Sequence, residues 1–565
     1  LSQDTTLPTD ARLSRAFRMA IVAAFLIMLA IGILLPVYGD EIGWRFQERA
    51  WIDIVDRAYS DLCGANTFAA PPWFMLPVRW FSAMANQAFA DPLFVRLEGV
   101  ICACAWAGLL WTLIARLEPD RERRVRVQTL VFALLGMGML PLLLVMSRPE
   151  QPLLLMLTLM MLVALARGGT AAAAWPKCAA IVLLTVIAAS YHLKSVAFSP
   201  IALACLIVCA RGRGSIAPRL LGTAAMTAIM AAAAAYWVGR FRCLGDPVLA
   251  HKLGAENIAS SLSTGASLQD LMLRVVENAN PLHYVGQAVP DNEPMSAWVP
   301  YALFPAPLPD VFAVVMYLVW TAALLTALIC LLRFALREGL HVLAEPRAVL
   351  ALATFACVAV WGASQVNRNV YEAAMILPLL AVFIVLCVTL PGTAGSPTPG
   401  PVAPIPAALV WTTGAAAILS QAVLLIFVMG VLMKAAGDPG HLADQPYSVS
   451  ITRYGAVKAD IATAMRRAGM DPRTRYRGLM VDEVTYLALQ RHLLPIHRLG
   501  VLQLWNGNIA RPAEYLLSRH SDGVIVVCSN LPPDLAAVAA RSGEICAISQ
   551  AGLKRSVGAT LPRGG

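Results

Sequence analysis

The chain has 565 residues, of which 58% are hydrophobic and only 14% charged, and its mean hydropathy is +0.66. A soluble protein carries roughly 25% charged residues, so this chain could not cover a soluble surface. It reads as a polytopic membrane protein, and disorder, a collagen-like repeat and a small disulfide scaffold are excluded. The net charge of +10 has to be read by position, because arginines in such a chain report topology before they report a nucleic-acid partner.

A spanning helix needs about 20 mainly apolar residues, since about 30 Å must be crossed at 1.5 Å per residue. In chain order, eleven such segments are predicted, near 19–37, 96–115, 127–146, 152–166, 178–191, 196–210, 219–238, 311–333, 348–364, 373–391 and 406–433. The fourth to sixth are short. Arg12, Arg15 and Arg18 precede the first, which reads as an uncleaved anchor. Arginine clusters follow at 116–126, 211–219 and 333–347, after the second, sixth and eighth segments, so each falls on the side of the amino terminus, while the odd total puts the tail on the other side. By the positive-inside rule that side is the cytoplasm. The tail beyond Lys434 then faces outward, with the loops at 38–95 and 239–310.

The first outward loop predicts amphipathic helices over 44–58 and 73–89, with Trp73, Phe74, Trp80, Phe81 and Phe89 suited to a membrane interface. A helix is predicted near 267–278. The Pro/Gly-rich stretch 391–406 predicts a linker. In the tail, a helix is predicted over 453–470, strands over 477–481 and 523–528, and a helix over 533–541. The alternation predicts a small α/β domain. The division is therefore a membrane core over 1–433 and an outward domain over 434–565.

Eight of the twelve cysteines lie in or beside apolar spans. The other four, Cys63, Cys243, Cys528 and Cys546, fall in outward segments, where an even number suggests disulfides. Proximity favours Cys63–Cys243 and Cys528–Cys546, with free thiols as the alternative.

Ionisable residues mark four outward places. Asp40 and Glu41 follow the first span, where a carboxylate at the rim of a low-dielectric cavity suits general-base chemistry; a solvated helix end is the rival. Arg148 and Glu150 occupy a very short turn at membrane depth, either as a site or as a mutual ion pair. His192 and Lys194 occupy the next such turn, and Arg368 stands in a fourth with Tyr371 and Glu372 in support. Outward cations in short loops run against the positive-inside bias. Arg148, His192, Lys194 and Arg368 together suit an anionic ligand, arginine by bidentate binding and lysine as a point charge.

The run Asp40-Glu41-Ile42-Gly43-Trp44-Arg45-Phe46 is similar to the acidic motif of the GT-C glycosyltransferases, the membrane enzymes that include aminoarabinose, mannosyl and arabinosyl transferases. The Arg148-Pro149-Glu150 and His192/Lys194 turns resemble later outward motifs of that group, and the resemblance covers roughly residues 19–391. It implies a bacterial inner-membrane enzyme with the amino terminus cytoplasmic and the tail periplasmic. Such an enzyme takes a sugar from a polyprenyl phosphate and gives it, with inversion, to a hydroxyl of a cell-envelope glycan, lipid or protein. Asp40 would be the base, with Glu41 as its partner or as a metal or acceptor contact. Arg148, His192, Lys194 and Arg368 would hold the leaving phosphate. Some relatives use a divalent metal (Mg, Mn or Zn), but no ligand set is clear in this sequence. Membrane lipids are the remaining expected partner, and no nucleic acid is expected.

Two other classes compete. An O-antigen polymerase or ligase would rely on a large late outward loop, for which Arg240, Arg242, Arg274 and His283 are available. A transporter or flippase commonly shows internal repeats and charges within spans; no repeat is seen, and most ionisable residues sit at span ends.

Overall fold

The computed structural model describes residues 8–35, 37–38, 41–42, 72–88, 92–166, 171–209, 216–243, 268–289, 307–364, 370–391, 405–437, 448–449, 454–476, 478–489, 511–518 and 520–560. The amino-terminal part is helical. In chain order it comprises α1 (Pro8–Ile31), a short strand β1 (Val37–Tyr38), α2 (Leu76–Ala88), α3 (Pro92–Leu117), α4 (Arg121–Leu135), α5 (Leu140–Leu144), α6 (Glu150–Ala164) and α7 (Ala171–Tyr191). It continues with α8 (Lys194–Ala197), α9 (Ser199–Cys209), α10 (Ile216–Cys243), α11 (Leu268–Ala279), α12 (Leu308–Glu338), α13 (Pro346–Ser364), α14 (Val370–Val388) and α15 (Ala407–Gly437). Seven helices among the described residues are long and apolar enough to cross a membrane, and three shorter apolar helices cover 150–164, 199–209 and 372–388. Together with the α4–α5 pair, these account for the eleven apolar segments of the sequence.

The third segment differs from its predicted form. Instead of one helix over 127–146, α4 ends at Leu135 and α5 begins at Leu140. Asp120 starts α4 by accepting from the Arg123 amide at 2.8 Å. The break centres on Gly138, whose φ of +55° suits glycine. A broken helix at membrane depth must satisfy its backbone from neighbouring protein. Here the Gly138 amide donates to the Ser420 hydroxyl at 3.1 Å, the Gln421 side chain donates to the Gly138 carbonyl at 3.3 Å, and the Met139 amide donates to the Ala288 carbonyl at 2.8 Å.

The tail contains β2 (Ser448–Val449), α16 (Tyr454–Arg467), β3 (Leu479–Val481), α17 (Glu483–Leu489), α18 (Pro512–Ser518), β4 (Gly523–Val527), α19 (Pro533–Ala536), β5 (Ala540–Ser542), β6 (Ile545–Ser549) and α20 (Gln550–Thr560). Its sheet has the order β3-β4-β6-β5, with β3 parallel to β4 and the other pairings antiparallel. Successive strand residues point to opposite faces. Leu479, Val481, Ile525 and Val527 accordingly enter a core with α16 and α17, while Met480, Val524 and Val526 enter a second core with α18 and α20. Burial on both faces explains why these strands read as unbroken apolar runs. The predicted helix over 533–541 is cut to four residues, because the chain turns back at Ala540 into β5. Cys528 and Cys546 form a disulfide. Cys63 lies outside the described residues, as does the side chain of Cys243.

Candidate active site

The two ends of the helical part differ in chemistry. At one end, cations cap helix carboxyl termini: Arg116 donates to the Leu162 carbonyl at 3.2 Å, Arg123 to that of Val388, Arg347 to that of Thr389, and Lys177 to that of Ala166 at 2.5 Å. These contacts satisfy carbonyls that a helix end leaves unpaired. Arg116 and Arg123 belong to arginine clusters that the sequence reading assigns to topology.

Glu118 and Glu345 pair with Arg123 and Arg347 at that end, and the opposite end holds a different set of buried ionic groups. Glu41 is fully buried and pairs with the buried Arg96 at 2.8 Å. The Ser147 amide donates to Glu41 Oε1 at 2.7 Å, and the Ser147 hydroxyl donates to Glu98 Oε2 at 2.9 Å. This approach requires glycine at position 99. A Cβ there would stand 1.9 Å from the Val145 carbonyl oxygen, so the smallest side chain lets the α5–α6 turn sit against α3.

One turn of chain connects this group to a second. Glu150 and Glu372 occupy the first turns of α6 and α14, where the helix dipoles favour a carboxylate. The Lys194 ammonium lies between them, bonded to Glu150 Oε1 and 2.6 Å from Glu372 Oε1. Arg148 approaches Glu150 Oε2 at 3.5 Å, and the Trp361 indole donates to Glu372 Oε2 at 2.6 Å. Burial alone would lower the Lys194 pKa, but Glu150 and Glu372 outweigh it and the pKa is raised.

A third group adjoins the second. The Lys194 amide donates to His192 Nδ1 at 3.1 Å, so the neutral ring carries its proton on Nε2. His192 stands against Trp237, and Tyr236 and Trp237 flank the buried Arg79, which donates to the Tyr236 hydroxyl at 3.0 Å. Burial, followed by the Lys194 charge, holds His192 down at about 3 from an ordinary 6.5. The unfolded chain therefore binds a proton at His192 where the folded chain does not. Stability from this residue is full above about pH 6.5 and is lost as pH falls toward 3. His192→Gln is expected to flatten the acid limb of the melting temperature between pH 4 and 6.5; an unchanged slope in detergent would contradict it.

Of the residues singled out in the sequence, Glu41, Arg148, Glu150, His192, Lys194 and Glu372 are brought to this end. Asp40 and Arg368 lie outside the described residues, as does the side chain of Tyr371. The structure adds Arg79, Arg96, Glu98, Tyr236, Trp237 and Trp361. The signal for Arg79 was available, since it is a cation in the long loop predicted over 38–95, whereas Arg96 opens the segment predicted as the second span. Beside the site, α2 exposes Trp80, Phe81 and Met84 while burying Arg79, which suits a helix lying at a membrane surface. A narrow apolar cleft begins one turn beyond Glu150, lined by Leu153, Leu157, Met160, Phe198, Met230 and Met375, with the buried Ser195 on its wall.

Among the described residues, no three His, Cys, Asp or Glu side chains are grouped to hold a metal ion. The side chains of Arg240, Arg242 and Arg274 lie outside the described residues, and His283 is half-buried in a 3-10 turn.

No protein-family model matches the chain, and no curated protein matches it. Among solved structures it is similar to ArnT from Cupriavidus metallidurans bound to undecaprenyl phosphate, at 15% identity and a TM-score of 0.40, over 94% of this chain and 97% of that one. A likeness this distant assigns neither residues nor a reaction.

Proposed function

We propose that the chain is a membrane glycosyltransferase that moves a sugar from a polyprenyl phosphate to a hydroxyl acceptor at the end of the bundle that holds Glu41, Glu150 and Glu372. The observation that carries this reading is the pair of buried ionic groups joined by the Ser147–Glu150 turn. Buried charges are costly to keep in an apolar setting and mark working sites in membrane proteins. The acidic motif at Asp40-Glu41 adds the reaction class.

The two adjacent acids take different roles. Glu41 is held by Arg96 and by the Ser147 amide, which gives it a structural role. Asp40 is then the base. It takes the acceptor hydroxyl proton as that oxygen attacks the anomeric carbon, and the bond from that carbon to the phosphate oxygen breaks. Polyprenyl phosphate leaves with the electron pair, and the configuration inverts. Charge grows on the departing phosphate, and a fixed cation stabilises it most where water is excluded.

Arg148 is the cation for that step. Its side chain retains 16% exposure against 7% for Lys194, and its contact with Glu150 is longer. Lys194 is committed to two carboxylates.

Polyprenyl phosphate should bind the purified protein and raise its melting temperature in a saturable manner. Arg148→Ala is expected to weaken that binding about tenfold or more, the worth of a hydrogen bond to a charged group. Equal affinity in the variant would remove Arg148 from the phosphate site.

A further inference from the structure

The tail is tied to the site through residues immediately beside the Glu41–Arg96 pair. Strand β1 pairs antiparallel with β2, Val37 opposite Val449 and Tyr38 opposite Ser448. Val37, Ile42 and Val95 are fully buried, and all three belong to the tail's own core with Val457, Val484, Tyr486 and Leu487. Ile42 follows Glu41 in the chain, and Val95 precedes Arg96. Each partner of the buried ion pair is therefore next to an apolar side chain anchored in the tail domain.

We infer that the tail domain is a positioning element for the site: it seats Ile42 and Val95 in its core, and this holds Glu41 and Arg96 in register with Ser147. Among the described residues, Ile42 and Val95 are buried in the same core as Val457, Val484, Tyr486 and Leu487 of the tail. Proteins open locally before the whole fold does, so loosening the core that holds Ile42 and Val95 should loosen the contacts of Glu41 and Arg96 beside them. Ile42 and Val95 are positioning residues in this account, and neither touches substrate. The inference rests on the site reading above but not on the chemistry assigned to it.

The test is hydrogen exchange of full-length protein in detergent, read at the Ser147 amide, whose bond to Glu41 Oε1 is 2.7 Å. The proteins are wild type, Ile42→Ala, Ile42→Val and, from the tail side, Val484→Ala. Both alanine variants are expected to exchange at Ser147 about tenfold or more faster, because a truncated core side chain leaves a cavity. Ile42→Val keeps most of the contact and should stay near wild type. Exchange in the 380–388 segment, at the other end of the bundle, should not change. Wild-type exchange at Ser147 in both alanine variants would overturn the inference, and so would uniform acceleration along the chain, which is global unfolding. If Ile42→Ala does not accumulate, Val484→Ala alone decides. The readout needs no sugar donor, so failure of the transferase reading would leave this result standing, and the reverse also holds.

Discussion

Lys194→Met is expected to lower unfolding stability by about 3–5 kcal/mol, the usual cost of removing one partner from a buried ion pair. Lys194 joins Glu150 and Glu372, both at least nine-tenths buried. Methionine fills much of the volume but leaves two carboxylates facing each other without the cation between them. A second substitution, Glu372→Gln, should recover part of the loss, since one buried charge is removed and the amide oxygen can still accept from the Trp361 indole. The coupling is read as a double-mutant cycle from denaturant unfolding in detergent. Additive losses would show that Lys194 and Glu372 do not act on one another.

Asp40→Asn is expected to reduce sugar transfer by about 10²–10⁴-fold, the range for loss of a positioned general base. Asparagine cannot take the acceptor proton, but it alters little in size, so donor binding should be retained. Glu41→Gln should behave differently. It leaves the Arg96 charge buried beside a neutral amide, and about 3–5 kcal/mol of stability should go with it. Adjacent acids therefore separate into a kinetic and a structural role, measured by turnover on one side and by unfolding on the other. Wild-type transfer by Asp40→Asn would remove it as the base.

Much of this was legible in the sequence for a physical reason. Apolar length and the placement of arginines are local properties, and both survive into the spans and the capped helix ends. Arg148, Lys194 and Glu372 were visible because a charge in a short turn between apolar segments is costly wherever the chain goes. The Arg148–Glu150 pair was one of the two readings of that turn, and the two do meet at 3.5 Å; the partners of Lys194 and Glu372 were not visible. Glu150 meets Lys194 and Lys194 meets Glu372 only once α6, α8 and α14 pack together. Arg96 was missed because it sits one turn inside an apolar helix, where it reads as the edge of a span. The break at Gly138 was missed for a related reason: the groups that satisfy it come from Ala288, Ser420 and Gln421, far along the chain. The anchoring of Ile42 in the tail depends on the same kind of long-range contact.

The most direct measurement is an experimental density map of the purified protein with polyprenyl phosphate added. The account predicts the phosphate within hydrogen-bonding distance of the Arg148 guanidinium. A phosphate held instead among Arg116, Arg123 and Arg347, at the opposite end of the bundle, would contradict it.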